Sequence, residues 1–288
     1  MRTGTTARDC GLSVSGRIRL AAFDLDGVIW RGGKIIPGVA QALEDVVRRD
    51  LMLRYVSNNS TAHRRVVSQR LHDLGLPDGT ERVLTSAFVT ARWLGARLPA
   101  GAPVMVLGEQ GLLEELAEVG IDAFHACDRP GESTMPVAVV VGMDRSIDFT
   151  SLSIAQRAIR QGAQFVATNR DATFPTPDGE VPGAGAIVAA VATAAESEPV
   201  LMGKPGLGLA EVLADTTGVP AENTFFVGDR IGTDIVMGNK AGMVTALVLT
   251  GVTAAEELAE GWPSAEERPD HVLADLSGLS GVLDALGV

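Results

Sequence analysis

Two aspartates stand two residues apart in Phe23-Asp24-Leu25-Asp26-Gly27, directly after the apolar run Leu20-Ala21-Ala22-Phe23. Where a strand keeps its period of two, Asp24 and Asp26 face the same cavity at its end. Two like charges that close need a counter-charge, and Asp24, the first polar group after a buried strand, needs a partner. A divalent cation meets that need. Mg²⁺ prefers carboxylate and carbonyl oxygens together with waters, and Asp229 in Val227-Gly228-Asp229-Arg230 could complete its ligands. Taken alone, the motif also reads as a solvated Asp-Gly turn.

Three further groups belong to the same chemistry. Ser57, in Tyr55-Val56-Ser57-Asn58-Asn59-Ser60, offers a hydroxyl beside backbone amides that can bind acceptor oxygens. A helix N-cap cluster is the competing reading, although Ser60 or Thr61 would suffice as that cap. Lys204 is one of three lysines, with Lys34 and Lys240, among 24 basic residues. Between Gly203 and Pro205 it places a compact ammonium where it could bridge a carboxylate and a phosphoryl oxygen, or it is a surface lysine. Asp234, five residues after Asp229, could orient metal-bound water or pair with Lys204. It could equally favour a helix N-terminus by its charge.

The elements that must position these groups follow from the pattern of apolar runs. Short β-branched runs alternate with helix-period segments, the grammar of parallel strands joined by helices. Strands are expected at 18–24, 51–57, 104–108, 137–143, 164–168, 199–202, 224–228 and 244–249. Helices are expected at 39–49, 61–75 (apolar stripe Val66, Val67, Leu71, Leu74), 151–162, up to 195, after 205 and from 233. Pro175, Pro177, Gly179, Pro182 and Gly183 mark 169–185 as a loop. In open α/β sheets reactive groups gather at the carboxyl ends of strands. Asp24, Ser57, Lys204 and Asp229 all lie at the ends of expected strands.

Composition narrows the function classes. The chain has 288 residues, enough for one large domain or two ordinary ones. Hydrophobic residues make up 46% and aromatic residues 4%, so the core must be aliphatic. A formal charge of −12 argues against a generic nucleic-acid binder or a polybasic membrane-surface protein. Residues 253–288 hold eight acidic side chains and one basic, so the surplus is mainly a solvated carboxyl-terminal face. Cys10 and Cys127 form no disulfide framework or metal cluster, which points to a reducing cytoplasm. The apolar stretch 181–195 is too short to span a membrane. Residues 1–17 read as a loose arm, and His63, His72, His125 and His271 as surface or packing residues.

In its ordered motifs the sequence resembles the haloacid dehalogenase superfamily, and within it phosphatase subfamily IIA, the NagD-like and p-nitrophenyl-phosphatase-like enzymes. The likeness spans 18–274. Asp24-Leu-Asp26-Gly-Val28, Ser57-Asn-Asn-Ser60, Gly203-Lys204-Pro205 and Gly228-Asp229-Arg230 through Asp234 match the family's four motifs. Ala167-Thr-Asn169-Arg-Asp171 followed by Pro182-Gly-Ala-Gly185 resembles the subfamily's own signature, with Arg170 where proline is usual. The resemblance implies a Rossmann-like α/β core at 18–87 and 199–288 and an inserted α/β cap of C2 type at 88–198. It implies a Mg²⁺-dependent phosphomonoesterase of small phosphometabolites, with Asp24 as nucleophile and Asp26 as acid and base. Ser57, the Asn58 amide and Lys204 would bind the phosphoryl group; Asp24, the Asp26 carbonyl and Asp229 would hold the metal, with Asp234 supporting. Asn169 and Asp171 are candidates for selectivity, with turn formation the competing reading for Asn169. A homodimer through the cap is also implied. Subfamily members act on p-nitrophenyl phosphate, nucleotides, phosphoglycolate, glycerol phosphate and pyridoxal phosphate, and the cap sequence selects none of them. A phospho-ligand-binding or regulatory module with little turnover, or a phosphotransferase to an alcohol, are the competing functions.

Overall fold

The computed structural model describes residues 18–128, 135–176, 179–260 and 262–288. The chain opens with β1 (Leu20–Asp24), a short hairpin of β2 (Trp30–Arg31) and β3 (Lys34–Ile35), α1 (Val39–Arg48), β4 (Met52–Ser57), α2 (Arg64–Asp73) and β5 (Val83–Thr85). It continues through α3 (Ser86–Gly95), β6 (Pro103–Leu107), α4 (Gln110–Glu118), β7 (Asp122–His125), β8 (Ala138–Val141), α5 (Phe149–Arg160) and β9 (Gln164–Ala167). A second hairpin, β10 (Thr173–Thr176) and β11 (Gly179–Pro182), precedes α6 (Ala184–Ala195) and β12 (Val200–Leu201). The chain ends with α7 (Gly208–Thr217), β13 (Thr224–Gly228), α8 (Val236–Ala241), β14 (Val244–Val248), β15 (His271–Leu273) and α9 (Leu279–Ala285).

Two parallel sheets result, as the resemblance implied. The first has six strands in the order β15-β14-β13-β1-β4-β5, and the second has five in the order β12-β9-β8-β6-β7. Every residue of β1 is buried, as expected of a central parallel strand covered on both faces. Alternate residues feed two layers. Ala21, Phe23, Leu53, Tyr55, Phe225 and Val227 pack with residues of α1 and α9. Leu20, Ala22, Val56 and Phe226 pack with residues of α3 and α7. That second cluster also takes in Val104, Val106, Ala138, Val140 and Val166 of the inserted sheet, so one apolar layer joins the two sheets. A third cluster covers the other face of the inserted sheet with α5 and α6. The chain leaves β1 for β4 on one side and returns as β13 on the other, which puts a topological switch point at the end of β1.

The structure departs from the expected elements in four places, and it adds β2, β3, β5, α3, α4, β7, β15 and α9 where none was expected. The helix expected at 61–75 starts at Arg64, and its N-cap is His63, whose side chain accepts from the Arg65 amide, where Ser60 or Thr61 was expected. Val66 of the expected apolar stripe is exposed, while Val67 and Leu71 are buried. Within the expected loop at 169–185, residues 173–176 and 179–182 pair as an antiparallel ribbon. A two-stranded ribbon tolerates proline because each strand is an edge. The strand expected at 199–202 pairs with Val166 and Ala167 of β9, so it extends the inserted sheet where the reading gave it to the core. Residues 1–17 with Cys10, and Pro177, lie outside the described residues.

Candidate active site

The carboxyl ends of core strands and of β12 in the inserted sheet converge on one buried cluster. Asp24 ends β1, and its Oδ1 lies 2.5 Å from the Lys204 ammonium. Lys204 follows β12 and also reaches Asp234 Oδ1 at 2.7 Å. Asp229 follows β13, and oxygen atoms of Asp24, Asp229 and Asp234 all lie within 4.8 Å of one another. Asp24, Lys204, Asp229 and Asp234 are all buried. Three carboxylates thus face one ammonium, an excess of negative charge that a low-dielectric site cannot carry unaided.

The electrostatics follow from that imbalance. Burial pushes Asp24 well above the usual carboxylate range; Lys204 opposes the shift, and the charges of Asp234 and Asp229 add to it. Burial and then the Asp234 charge raise Asp229 to about 6. At Lys204 burial favours the neutral amine, but Asp234 and Asp24 outweigh it and hold the ammonium above its ordinary value. A nucleophilic Asp24 is therefore ionised only when cations surround it.

Backbone geometry fixes each member. Residues 231–235 form a wide π-type turn entering α8, a form common at functional sites. It folds Asp234 back so that its Oδ2 accepts from the amides of Arg230 (3.1 Å) and Asp229 (3.3 Å). Asp229 Oδ2 accepts from the Val252 amide at 2.7 Å, in the loop after β14. A Cβ at Gly251 would lie 1.8 Å from that oxygen, so this approach requires glycine. Gly27, at φ +85°, makes the turn after Asp26, and a Cβ there would lie 2.4 Å from the same oxygen.

Ser57 is buried at the end of β4, and its Oγ accepts from the Asn59 amide at 3.1 Å, which leaves the hydroxyl proton to donate elsewhere. The Asn58 side chain holds Lys204 in place: its Oδ1 accepts from the Lys204 amide (2.8 Å) and its Nδ2 donates to the Lys204 carbonyl (3.0 Å). The same Nδ2 donates to both carboxylate oxygens of Asp171 at 3.2 Å, bringing the loop after β9 to the site. Burial raises Asp171, and Lys204 opposes the shift. Asn169 donates to the Asn58 carbonyl (2.8 Å) and accepts from the Asp171 amide (3.0 Å), so the chain itself uses both ends of its amide in an Asx turn. Asp26 is exposed, and its Oδ1 accepts from the Trp30 indole at 2.8 Å.

Sequence reading missed Trp30, the 250–252 loop, and a second charged cluster. Between α2 and α4, His63 Nε2 lies 2.9 Å from Glu118 and 3.6 Å from Glu115, while the Arg64 amide donates to Glu115 at 2.9 Å. Arg64 also meets Glu118 (3.0 Å), and Arg65 meets Glu114 (2.8 Å). His63 Nδ1 accepts from the Arg65 amide, so Nε2 carries the proton of the neutral ring and offers no lone pair to a metal. The cluster is an ion-paired joint between the α2 end of the core and the inserted segment. Glu115 is 1% exposed and the Glu118 side chain 42%. Glu115→Ala is expected to cost about 3 kcal/mol, because it leaves the Arg64 amide without its acceptor and removes the buried charge facing Arg64 and His63, against about 1 kcal/mol for the half-exposed Glu118→Ala, after which His63 Nε2 still faces Glu115. Denaturant titration of both variants checks this, and equal losses would contradict it.

Comparison with known proteins adds to this geometry. A family model described as haloacid dehalogenase-like hydrolase matches residues 21–122, and one described as HAD-hydrolase-like matches 201–279. Glycerol-3-phosphate phosphatase of Gallus gallus is 37% identical over 275 residues, covering 88% of this chain and 86% of that protein. The structure of p-nitrophenyl phosphatase from Archaeoglobus fulgidus superposes with a TM-score of 0.84 at 33% identity, covering 94% of this chain and all of that one. Glycerol phosphate phosphatase from Mycobacterium tuberculosis in complex with magnesium gives a TM-score of 0.81 at 34% identity, covering 92% and 77%.

Proposed function

The chain belongs to the haloacid dehalogenase-like hydrolases, subfamily IIA, and on that premise we propose that it is a magnesium-dependent phosphatase of small phosphorylated metabolites acting through an aspartyl-phosphate. One observation carries the reading: a buried carboxylate at the switch point, Asp24, lies 2.5 Å from a buried ammonium and beside two further buried carboxylates. A binding module needs no such nucleophile.

In this reading an Asp24 oxygen attacks phosphorus as the ester bond breaks, and Asp26 gives its proton to the departing oxygen. Asp26 then takes a proton from the water that attacks phosphorus, releasing phosphate and restoring Asp24. Ser57, the Asn58 amide and Lys204 bind the phosphoryl oxygens, and Lys204 also favours the ionised form of Asp24. The hard oxygen donors and the charge excess fit Mg²⁺, with the Asp24 and Asp229 carboxylates and the Asp26 carbonyl as ligands and Asp234 beside them. When bound, the ion neutralises charge between the nucleophile and the phosphoryl group.

The same reading divides the chain into a core built from both ends, 18–87 and 199–288, and a cap at 88–198. The pairing of Val200–Leu201 with β9 supports moving the second boundary to about 202. Asp171, joined to Asn58, is the cap residue best placed to sense a substrate, and Asn169 serves as its turn support. A homodimer through the cap completes the proposal, with light scattering as its test, as does a cytoplasmic site of action. Cys127 is an exposed free thiol, and no described helix is long and apolar enough to cross a membrane. Phosphate release from a panel of phosphometabolites, including glycerol phosphate, phosphoglycolate and p-nitrophenyl phosphate, tests the function; binding without release from any of them would overturn it.

A linked prediction concerns pH. The folded value of Asp229, about 6, exceeds the ordinary value of about 4, so folding favours its neutral form. The cost of ionising it is absent below about pH 4 and grows as pH rises through 6, reaching about 3 kcal/mol without metal. Mg²⁺ binds the ionised form and offsets that cost. Its stabilising shift in melting temperature, measured against chelator, is therefore expected to be larger at pH 7.5 than at pH 5. Equal shifts would contradict the assignment.

A further inference from the structure

Of the aspartates in the constellation, Asp26 differs in being exposed, so packing alone does not orient its carboxyl. Trp30 supplies the orientation. Its indole Nε1 donates to Asp26 Oδ1 at 2.8 Å, and the residue is 3% exposed. The local chain is built to make that contact. The amides of Ile29 and Trp30 both donate to the Leu25 carbonyl (2.8 and 3.1 Å), and the Gly27 amide donates to the Trp30 carbonyl (2.8 Å), which folds residue 30 back against residue 26. The ring is held in turn. Trp30 pairs with Ile35 across the β2–β3 hairpin, and the Arg70 guanidinium of α2 lies 4.1 Å from the ring centroid. Phenylalanine would keep an aromatic ring in most of the apolar space. What tryptophan adds is one directed donor with no acceptor capacity, which a buried site leaves unpaired only at a cost.

We propose that Trp30 is the positioning residue of the acid step. It holds Asp26 Oδ1, so that the proton resides on Oδ2 and is presented to the leaving oxygen. The inference rests on the reading of Asp26 given above. In the step concerned, the bond from Asp24 to phosphorus forms, the phosphorus–ester oxygen bond breaks, and the Oδ2 proton passes to that oxygen, leaving Asp26 as carboxylate. General acids contribute about 10²–10⁴-fold, and a misplacement of about 1 Å can forfeit much of that.

Leaving groups separate this role from a merely structural one. p-Nitrophenolate departs as a stabilised anion and needs little protonation, whereas an alkoxide needs a proton. kcat/KM is the quantity to compare, since it covers steps only through departure of the alcohol and excludes hydrolysis of the intermediate. Trp30→Phe is expected to lower kcat/KM at least tenfold for glycerol phosphate, or for the alkyl ester of the panel turned over fastest. For p-nitrophenyl phosphate the loss is expected to be less than threefold. Equal losses on the two esters, or no loss on the alkyl ester, would overturn the inference. If Trp30→Phe is unstable, the same comparison is made in the Asp26→Asn background. There the added substitution is expected to bring no further leaving-group-selective loss, and an additive loss would overturn the inference. Asp26→Asn alone distinguishes the failures: if it spares the alkyl ester, the role of Asp26 falls and this inference with it. If it is selective while Trp30→Phe is not, only the role of Trp30 falls.

Discussion

Asp24→Asn is expected to lower kcat/KM for every phosphomonoester by at least about 10⁴-fold while the protein stays folded. Asparagine keeps the shape of the side chain, but its amide cannot form the phosphoryl bond. Stability is expected to hold because Lys204 retains Asp234 at 2.7 Å and the cluster loses one of its excess negative charges. Burial already holds the Asp24 carboxyl above its usual range, so a neutral side chain there removes a strain. Phosphate release and a melting curve on the same preparation check both halves. Residual turnover within tenfold of wild type would show that the nucleophile lies elsewhere.

Lys204→Met carries the second large effect, and here activity and stability fall together. Lys204 is 4% exposed and its ammonium bridges Asp24 and Asp234, so its removal leaves two buried carboxylates facing each other. Breaking one partner out of a buried ionic cluster costs about 3–5 kcal/mol. Asp24 is then pushed further toward its protonated form, which disfavours the nucleophile, and the phosphoryl group loses a donor worth about 10²–10³-fold. The combined loss in kcat/KM is expected to exceed about 10³-fold. Adding Asp234→Asn to Lys204→Met is expected to return part of the stability, by removing one unpaired charge, and none of the activity. Recovery of turnover in the double variant would contradict the role given to Lys204.

The candidate site was more legible in the sequence than parts of the fold, and the reason is physical. Asp24 and Asp229 each follow an unbroken apolar run, so their positions at strand ends were readable locally, and β13 lies at the expected residues. Residues that act by reaching across the chain gave no local signal. The Val252 amide meets Asp229 from 23 residues away, and Glu115 meets Arg64 from 51. Trp30 stands four residues from Asp26, but only the tight turn around Gly27 brings the indole onto the carboxyl. Short elements escaped because periodicity needs length: β5 has three residues. The β10–β11 ribbon was hidden by its prolines, which mark loops in most settings and are allowed here by the absence of outer strands. Val200–Leu201 looked like a core strand because its sequence carries no mark of which sheet will accept it.

The central claim is that Asp24 carries the phosphoryl group between two steps. Asp26→Asn slows the second step, while p-nitrophenyl phosphate, which needs little acid assistance, still permits the first. Asp26→Asn protein mixed with that ester, quenched in acid and digested, is therefore expected to yield a peptide containing Asp24 that is heavier by one phosphoryl group, with the label absent from Asp24→Asn protein. Turnover with no phosphorylated peptide, or with the phosphoryl group on any other residue, would contradict the account.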